Sequence, residues 1–144
     1  MIDLTEDVRI RIPIIGRDGS PSHCVVVYPS MLNPVFDEAL IEFYDSRSTL
    51  GTIPTQTRAR VRLCRAHVIN IEGLPLDDER DLSNEISEEE AKRIMTEKFG
   101  PEAGKRVRSW RDMIPMNICT SSVLCLEERR GTMEQTVQGE SNGT

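Results

Sequence analysis

The chain has 144 residues, which suffices for one domain that buries roughly two thirds of its unfolded surface. Its formal net charge of −6 at pH 7 argues against a dedicated nucleic-acid binder, because such proteins carry an excess of bases that neutralises phosphates. No apolar run approaches the roughly 18–20 residues that cross a bilayer, and the acidic N-terminus lacks the features of a signal peptide. We therefore expect a cytoplasmic protein that binds no membrane.

The N-terminal part of the sequence predicts a β-hairpin. Apolar and basic residues alternate over residues 8–15, which is the pattern of a half-buried strand, and the β-branched run at 24–28 predicts a second strand. The intervening segment 16–21 is rich in turn-forming residues and contains an Asp-Gly pair. We expect the two strands to pair through this turn.

A first helix is predicted to begin at Asn33-Pro34, because asparagine caps free amides and proline fits the first turn of a helix. Its apolar face is predicted to contain Val35, Phe36, Ala39, Leu40 and Phe43. Residues 51–57 are predicted to form a loop.

The segment 58–71 fits two patterns. Apolar residues alternate with arginines at its start, as in an edge strand. A helical stripe is also present, formed by Val61, Cys64, Val68 and Ile71. The length of the segment and the Gly-Leu-Pro sequence that follows it favour the helix, and the strand stays open as the alternative.

Further helices are predicted after a polar, acidic connector at 76–86. Ser87 and Glu90 form a capping box at the start of the next helix, whose buried stripe is predicted to contain Ala91, Ile94, Met95 and Phe99. Another helix is predicted between Gly100-Pro101 and Pro115, with a stripe formed by Ala103, Val107, Trp110 and Ile114. Residues 118–126 predict a last core helix, with a strand as the alternative.

The predicted fold class is α+β, with an N-terminal β-hairpin packed on a compact bundle of four to five helices. Residues 1–131 are predicted to form the single domain. Residues 132–144 contain little that a core could bury, so we expect them to form a disordered, flexible polar tail.

Charge is sorted along the sequence, and the two basic clusters are the candidate partner-binding residues. The first cluster lies in a segment without acids and consists of Arg58, Arg60, Arg62 and Arg65. The second, beside Lys105 and Arg106, consists of Arg108, Trp110 and Arg111. Segregated charge steers encounters and sets the register of partners, so these clusters predict docking onto an acidic partner, while the acidic segment 77–90 deters wrong contacts.

Trp110 has two interpretations. A tryptophan between arginines is typical of an interface anchor. Its place in the apolar stripe favours packing in the core instead.

No pattern in the sequence indicates an enzyme, a metal site or a cofactor. His23 and His67 lie near cysteines without the paired spacing of zinc ligands, and we expect the four cysteines to be reduced core thiols. No glycine-framed nucleophile or phosphate-binding loop is present. The glycines at 16–19 resemble the GxxG loop of KH-type RNA-binding domains, but predicted strands flank them where that loop needs helices.

The order of these elements resembles that of small accessory proteins of tailed phages, particularly tail assembly chaperones. The resemblance is carried by the segment 62–74, by the helix that opens with Ser87-Glu88-Glu89-Glu90, and by the helix that ends at 110–115. It covers about residues 58–126 and is a likeness of layout without a residue signature. It implies binding to phage structural proteins during tail assembly, or a place as a minor virion component.

The sequence thus predicts a non-enzymatic protein that binds other proteins by charge complementarity, with self-association as a further expected mode. The alternative is a nucleic-acid-associated protein that uses the Arg58–Arg65 basic segment.

Overall fold

The computed structural model describes the backbone of residues 4–47 and 53–142 and the side chains of residues 4–46 and 55–129. Within this part, the chain folds into a three-stranded antiparallel sheet and five α-helices, which confirms the α+β class.

The N-terminal hairpin forms as predicted. β1 (Val8–Ile15) pairs with β2 (Pro21–Tyr28) along its whole length. Gly19 lies in the turn with a φ of +82°, a conformation that glycine adopts at little cost. Alternate side chains of the two strands are buried against the helices, among them Ile10, Ile12, Cys24, Val26 and Tyr28.

The sheet has a third strand that the sequence does not reveal. β3 (Asn70–Glu72) pairs antiparallel with β2, which gives the order β1-β2-β3. Three residues are too few for an alternation pattern to stand out. Gly73 follows with a φ of +77°, and a Cβ at this position would lie 3.1 Å from the carbonyl oxygen of His23. The turn after β3 therefore requires glycine.

α1 (Pro34–Arg47) begins at the predicted cap. The side-chain oxygen of Asn33 accepts hydrogen bonds from the amides of Val35 at 3.0 Å and Phe36 at 3.4 Å. Phe36 is buried together with Leu40 and Phe43, but the prediction for Val35 is wrong, since its side chain is 69% exposed. Neighbouring residues of a helix point about 100° apart, and on α1 it is Phe36 that faces the core while Val35 points to solvent.

α2 (Ile53–His67) confirms the helical interpretation of the ambiguous segment up to residue 67. Residues 53–57, predicted as a loop, belong to this helix, because proline at 54 lies in a first turn whose amides need no helical partner. Beyond α2 the helical prediction is wrong. Ile71 is buried as the stripe requires, but it lies in β3.

The polar, acidic connector at 76–86 is ordered by contacts of its own. Leu82 and Ile86 are buried and anchor it to the core. The carboxylate of Asp77 accepts hydrogen bonds from the amide and the guanidinium of Arg80, and Arg80 also pairs with Glu90. Apolar residues spaced among the acids therefore fix the segment in place.

α3 (Glu88–Phe99) has half of the predicted capping box. Ser87 Oγ accepts from the amide of Glu90 at 3.1 Å, while the Glu90 carboxylate pairs with Arg80. Ala91 and Ile94 are buried as predicted. Phe99 is 69% exposed, so the prediction of a buried Phe99 is wrong and the stripe ends before the helix does.

The single helix predicted for 103–114 is wrong, because the chain forms two shorter elements there. α4 (Pro101–Arg106) is followed by a separate 3₁₀ turn (Trp110–Met113). Ser109 Oγ accepts a hydrogen bond from an amide of that turn at 3.2 Å, and such local bonds compete with continuation of a helix. The predicted apolar stripe is still buried at Val107, Trp110 and Ile114.

The crossing of α3 and α4 depends on a buried glycine. A Cβ on Gly104 would lie 1.9 Å from Thr96 Oγ1 and 3.0 Å from the carbonyl oxygen of Lys92. We expect Gly104→Ala to lower the free energy of unfolding by about 1–3 kcal/mol in urea denaturation, although alanine favours helix by about 1 kcal/mol. Adding Thr96→Ala should restore part of the loss. Equal stability of wild type and Gly104→Ala would contradict this close contact.

α5 (Met116–Asn142) confirms the helix predicted for 118–126 and packs against α2 and β1. Its inward face is formed by Ile118, Cys119, Ser122, Val123 and Leu126. The bounds of α5 include most of 132–144, but side chains from residue 130 onward lie outside the described part of the chain. The flexible tail and the domain boundary at 131 stay predictions.

Candidate arginine-lined groove

α2 distributes the four arginines of the first predicted cluster around its axis. Arg58 and Arg62, one helical turn apart, are exposed, whereas Arg60 and Arg65 turn towards the protein. The four side chains therefore do not form one basic surface. Partner binding by the exposed pair stays a prediction.

The two inward arginines are held by the C-terminal half of the chain. Arg60 Nε lies 3.3 Å from Glu127 Oε2 on α5, and the two side chains are only 13% and 10% exposed. Arg65 Nη2 donates a hydrogen bond to the carbonyl oxygen of Ile114 at 2.8 Å. A segment without acids in its own sequence thus finds its counter-charge on α5, and these arginines tie α2 to the rest of the protein.

The second predicted cluster contains one core residue. Trp110 is 7% exposed, in agreement with its place in the apolar stripe. The guanidinium carbon of Arg111 lies 5.8 Å from the centroid of the Trp110 ring, within the range of a cation–π contact. Arg108 is exposed, and its backbone amide donates to Asp112 Oδ2 at 2.8 Å. An interface role for Trp110 would require its ring to leave the core.

A polar cluster lies buried between the sheet, α2 and α5. The hydroxyls of Tyr28 and Ser122 are 2.6 Å apart, and Ser122 Oγ also donates to the carbonyl oxygen of Cys119 at 2.9 Å. Burial raises the pKa of Tyr28 well above its usual range, and a hydrogen bond with Cys119 lowers the pKa of Cys64 to about 7. Both thiols are fully buried, so the cluster stabilises the core and offers no nucleophile to a substrate.

The two histidines do not join a metal site. His67 lies beside the Phe36 ring, with the ring centroids 5.8 Å apart, and burial followed by the charge of Arg111 lowers the pKa of His67. His23 is exposed on β2. Among the residues whose placement is described, no three potential metal ligands come together.

A groove of about 600 Å³ lies between β1 and α5, and no pattern in the sequence indicates it. Its lining combines three arginines with apolar side chains and one acid: Arg9, Ile10, Arg11, Val25, Cys125, Glu128 and Arg129. The arginines of β1 alternate with inward isoleucines, so their side chains lie on the outward face of the strand. Arg129 comes from α5, and its Nη2 donates to the carbonyl oxygen of Arg9 at 3.1 Å.

The side chains that line the groove carry a net positive charge, although the protein as a whole is negatively charged. Three arginines and one glutamate line it, while the whole chain has a net charge of −6. Arg9 pairs with Glu72 of β3, and both side chains are about half exposed. For Arg11, no acid of the described residues lies within ion-pair distance. Planar guanidinium groups with free N–H donors bind carboxylates in a bidentate way, so the groove is suited to acidic side chains.

Comparison with protein-family models, with curated proteins and with solved structures finds no match to this chain. None of the described helices is long and apolar enough to cross a bilayer. The phage resemblance therefore stays a prediction, and the groove is the feature on which we base a function.

Proposed function

We propose that this protein is a non-enzymatic interaction protein that binds an acidic segment of a partner protein in the groove between β1 and α5. The observation that carries this proposal is the convergence of Arg9, Arg11 and Arg129 on a groove of about 600 Å³. A shaped basic site on a negatively charged protein focuses attraction for acidic segments at one place.

A site of this composition favours protein over nucleic acid. Binding to DNA depends on lysines and arginines that neutralise several phosphates, whereas the groove supplies three arginines beside Glu128. The exposed arginines of α2 add only Arg58 and Arg62 within the described residues. Oligonucleotide binding is therefore an outcome that the experiment below must distinguish.

Tail assembly in a phage or prophage is the setting that we propose for this activity, with the host cytoplasm or the virion as its location. The sequence resemblance over residues 58–126 is the basis for this setting, and the groove gives it a chemical mode of binding. Purified tail proteins with acidic segments are the partners to test, and self-association is measured in the same preparation.

We expect Arg11→Glu to weaken binding of a fluorescent glutamate-rich peptide at least about tenfold in a polarisation assay. Arg11 pairs with no acid in the described residues, so the substitution changes the charge of the groove without breaking an ion pair of the fold. Affinity should also fall as salt is raised, because the contacts are partly exposed.

Arg62→Glu is the matched control, since it reverses an exposed arginine outside the groove. It should leave peptide affinity unchanged. If Arg62→Glu weakened binding as much as Arg11→Glu, the docking surface would be α2 as the sequence predicts. Binding of an oligonucleotide in preference to the peptide would replace the proposal by the nucleic-acid alternative.

A further inference from the structure

We infer that the occupant of the groove is an extended acidic segment that adds to the sheet as a fourth strand along the outer edge of β1. This inference rests on the proposed function and specifies its binding mode and partner chemistry. Strand addition of this kind gains affinity from main-chain hydrogen bonds and specificity from alternate side chains.

The edge at β1 is the long edge of the sheet. β1 has eight residues and lies at the end of the order β1-β2-β3. The opposite edge, β3, has only three residues, and Asn84 donates a hydrogen bond to the carbonyl oxygen of Ile69 just before it at 3.0 Å. An added strand therefore has one edge of useful length.

The backbone groups of Arg9 and Arg11 point away from β2. The amide of Ile69 donates to the carbonyl oxygen of Val27 at 2.8 Å, so Val27 directs its backbone groups towards β3. Arg9 is the register partner of Val27, and Arg11 is the partner of Val25. In an antiparallel ladder, a residue whose backbone groups point away from its partner exchanges no hydrogen bonds with it. The amide and carbonyl groups of Arg9 and Arg11 therefore point to the outer edge of β1.

The hydrogen bond of Arg129 independently supports the outward direction of the Arg9 carbonyl. It also indicates which contact an added strand must replace. Its guanidinium donates to the outward carbonyl oxygen of Arg9, in the place that the amide of a fourth strand would take. An incoming strand that supplies this hydrogen bond releases the guanidinium, which can then pair with a carboxylate of the same strand. The hydrogen bond of Arg129 to Arg9 thus closes the edge until an acidic segment replaces it.

The side chains of β1 specify the chemistry of the segment. Arg9 and Arg11 lie on the same face of the strand, about 6–7 Å apart along it. Carboxylates at alternate positions of an added strand have the same spacing and meet them as cross-strand pairs. Pro13 has no amide hydrogen, so it ends the ladder and limits pairing to a short segment.

A second copy of this chain is a poorer occupant of the same edge. Antiparallel pairing of two β1 edges would bring Arg9 and Arg11 of the two copies close together, and opposed like charges destabilise a strand pair. A partner strand with alternating acids supplies both the main-chain hydrogen bonds along β1 and the carboxylates that pair with its arginines.

The test compares a short peptide that alternates glutamate and valine with two N-methylated versions. In one version alternate amides are methylated, and in the other the remaining amides are methylated. Only one set can face β1, so one version should bind at least about tenfold more weakly than the parent, while the other changes by less than about twofold. Alkylation of Cys125, which lines the groove, should slow when the parent peptide is bound.

Each outcome has a distinct meaning. Equal binding of both methylated versions and the parent would overturn strand addition and leave acidic docking in place. Failure of every acidic peptide to bind would remove the proposed function and this inference together. Dimerisation of the protein that excludes the parent peptide from the groove would identify a second copy as the occupant.

Discussion

Replacement of Glu127 by leucine is expected to lower the free energy of unfolding by about 3–5 kcal/mol. Arg60 and Glu127 are 13% and 10% exposed, and the substitution leaves the guanidinium of Arg60 without its counter-charge at a site largely screened from water. Desolvation makes an unpaired charge costly there, whereas the same change at the surface costs little. Urea denaturation followed by tryptophan fluorescence measures the loss.

Two controls separate the ion pair from packing. The double variant Arg60→Met, Glu127→Leu removes both charges and should recover most of the stability, because an apolar pair of similar volume can replace a buried ion pair. Lys92→Met breaks the exposed pair with Glu88 and should cost less than about 1 kcal/mol. Suppose that Glu127→Leu lowered the free energy of unfolding no more than Lys92→Met. The ion pair would then not hold Arg60, and the predicted docking surface on α2 would again include Arg60.

Local signals in the sequence were sufficient wherever the responsible residues are close together in the chain. The alternation of residues 8–15 and the Asp-Gly turn predict the hairpin, and Asn33 and Ser87 predict helix starts that the structure confirms. Each of these signals acts over a few residues, so no tertiary contact can easily reverse it.

Predictions of longer helices failed where tertiary contacts or local side-chain hydrogen bonds compete with continuation of the helix. β3 forms because β2 offers an edge to three residues after α2, and the sequence pattern of a longer helix continues across it. The helix predicted for 103–114 breaks after Arg106, although its apolar stripe is still buried. Periodicity therefore identified the buried residues there but not the backbone that carries them.

The candidate site was missed for a related reason. Arg9 and Arg129 are 120 positions apart, and the arginines of β1 have the pattern of any solvated strand face. The arginines of α2 predict a docking surface because they are close together in the sequence. In the structure, however, Glu127 of α5 pairs with one of them, Arg60. Local charge density does not show which charges the fold uses internally.

Replacement of Trp110 by alanine is expected to lower the free energy of unfolding by about 3–5 kcal/mol. The indole is 7% exposed and belongs to the same core cluster as Val107 and Ile114. The substitution leaves a cavity and removes the ring that lies beside the Arg111 guanidinium. Circular dichroism must follow this unfolding transition, because the variant has lost the protein's one tryptophan.

Conservative variants distinguish a core residue from an interface anchor at this position. Trp110→Phe retains an aromatic ring and should lose less stability than Trp110→Ala, and folded Trp110→Phe should bind the acidic peptide with unchanged affinity because Trp110 lies outside the lining of the groove. Arg108→Ala, an exposed neighbour, should change neither quantity. A Trp110→Phe protein of normal stability with weakened peptide binding would instead place the docking surface at the second basic cluster, since only a ring that contacts the partner affects binding without affecting the core.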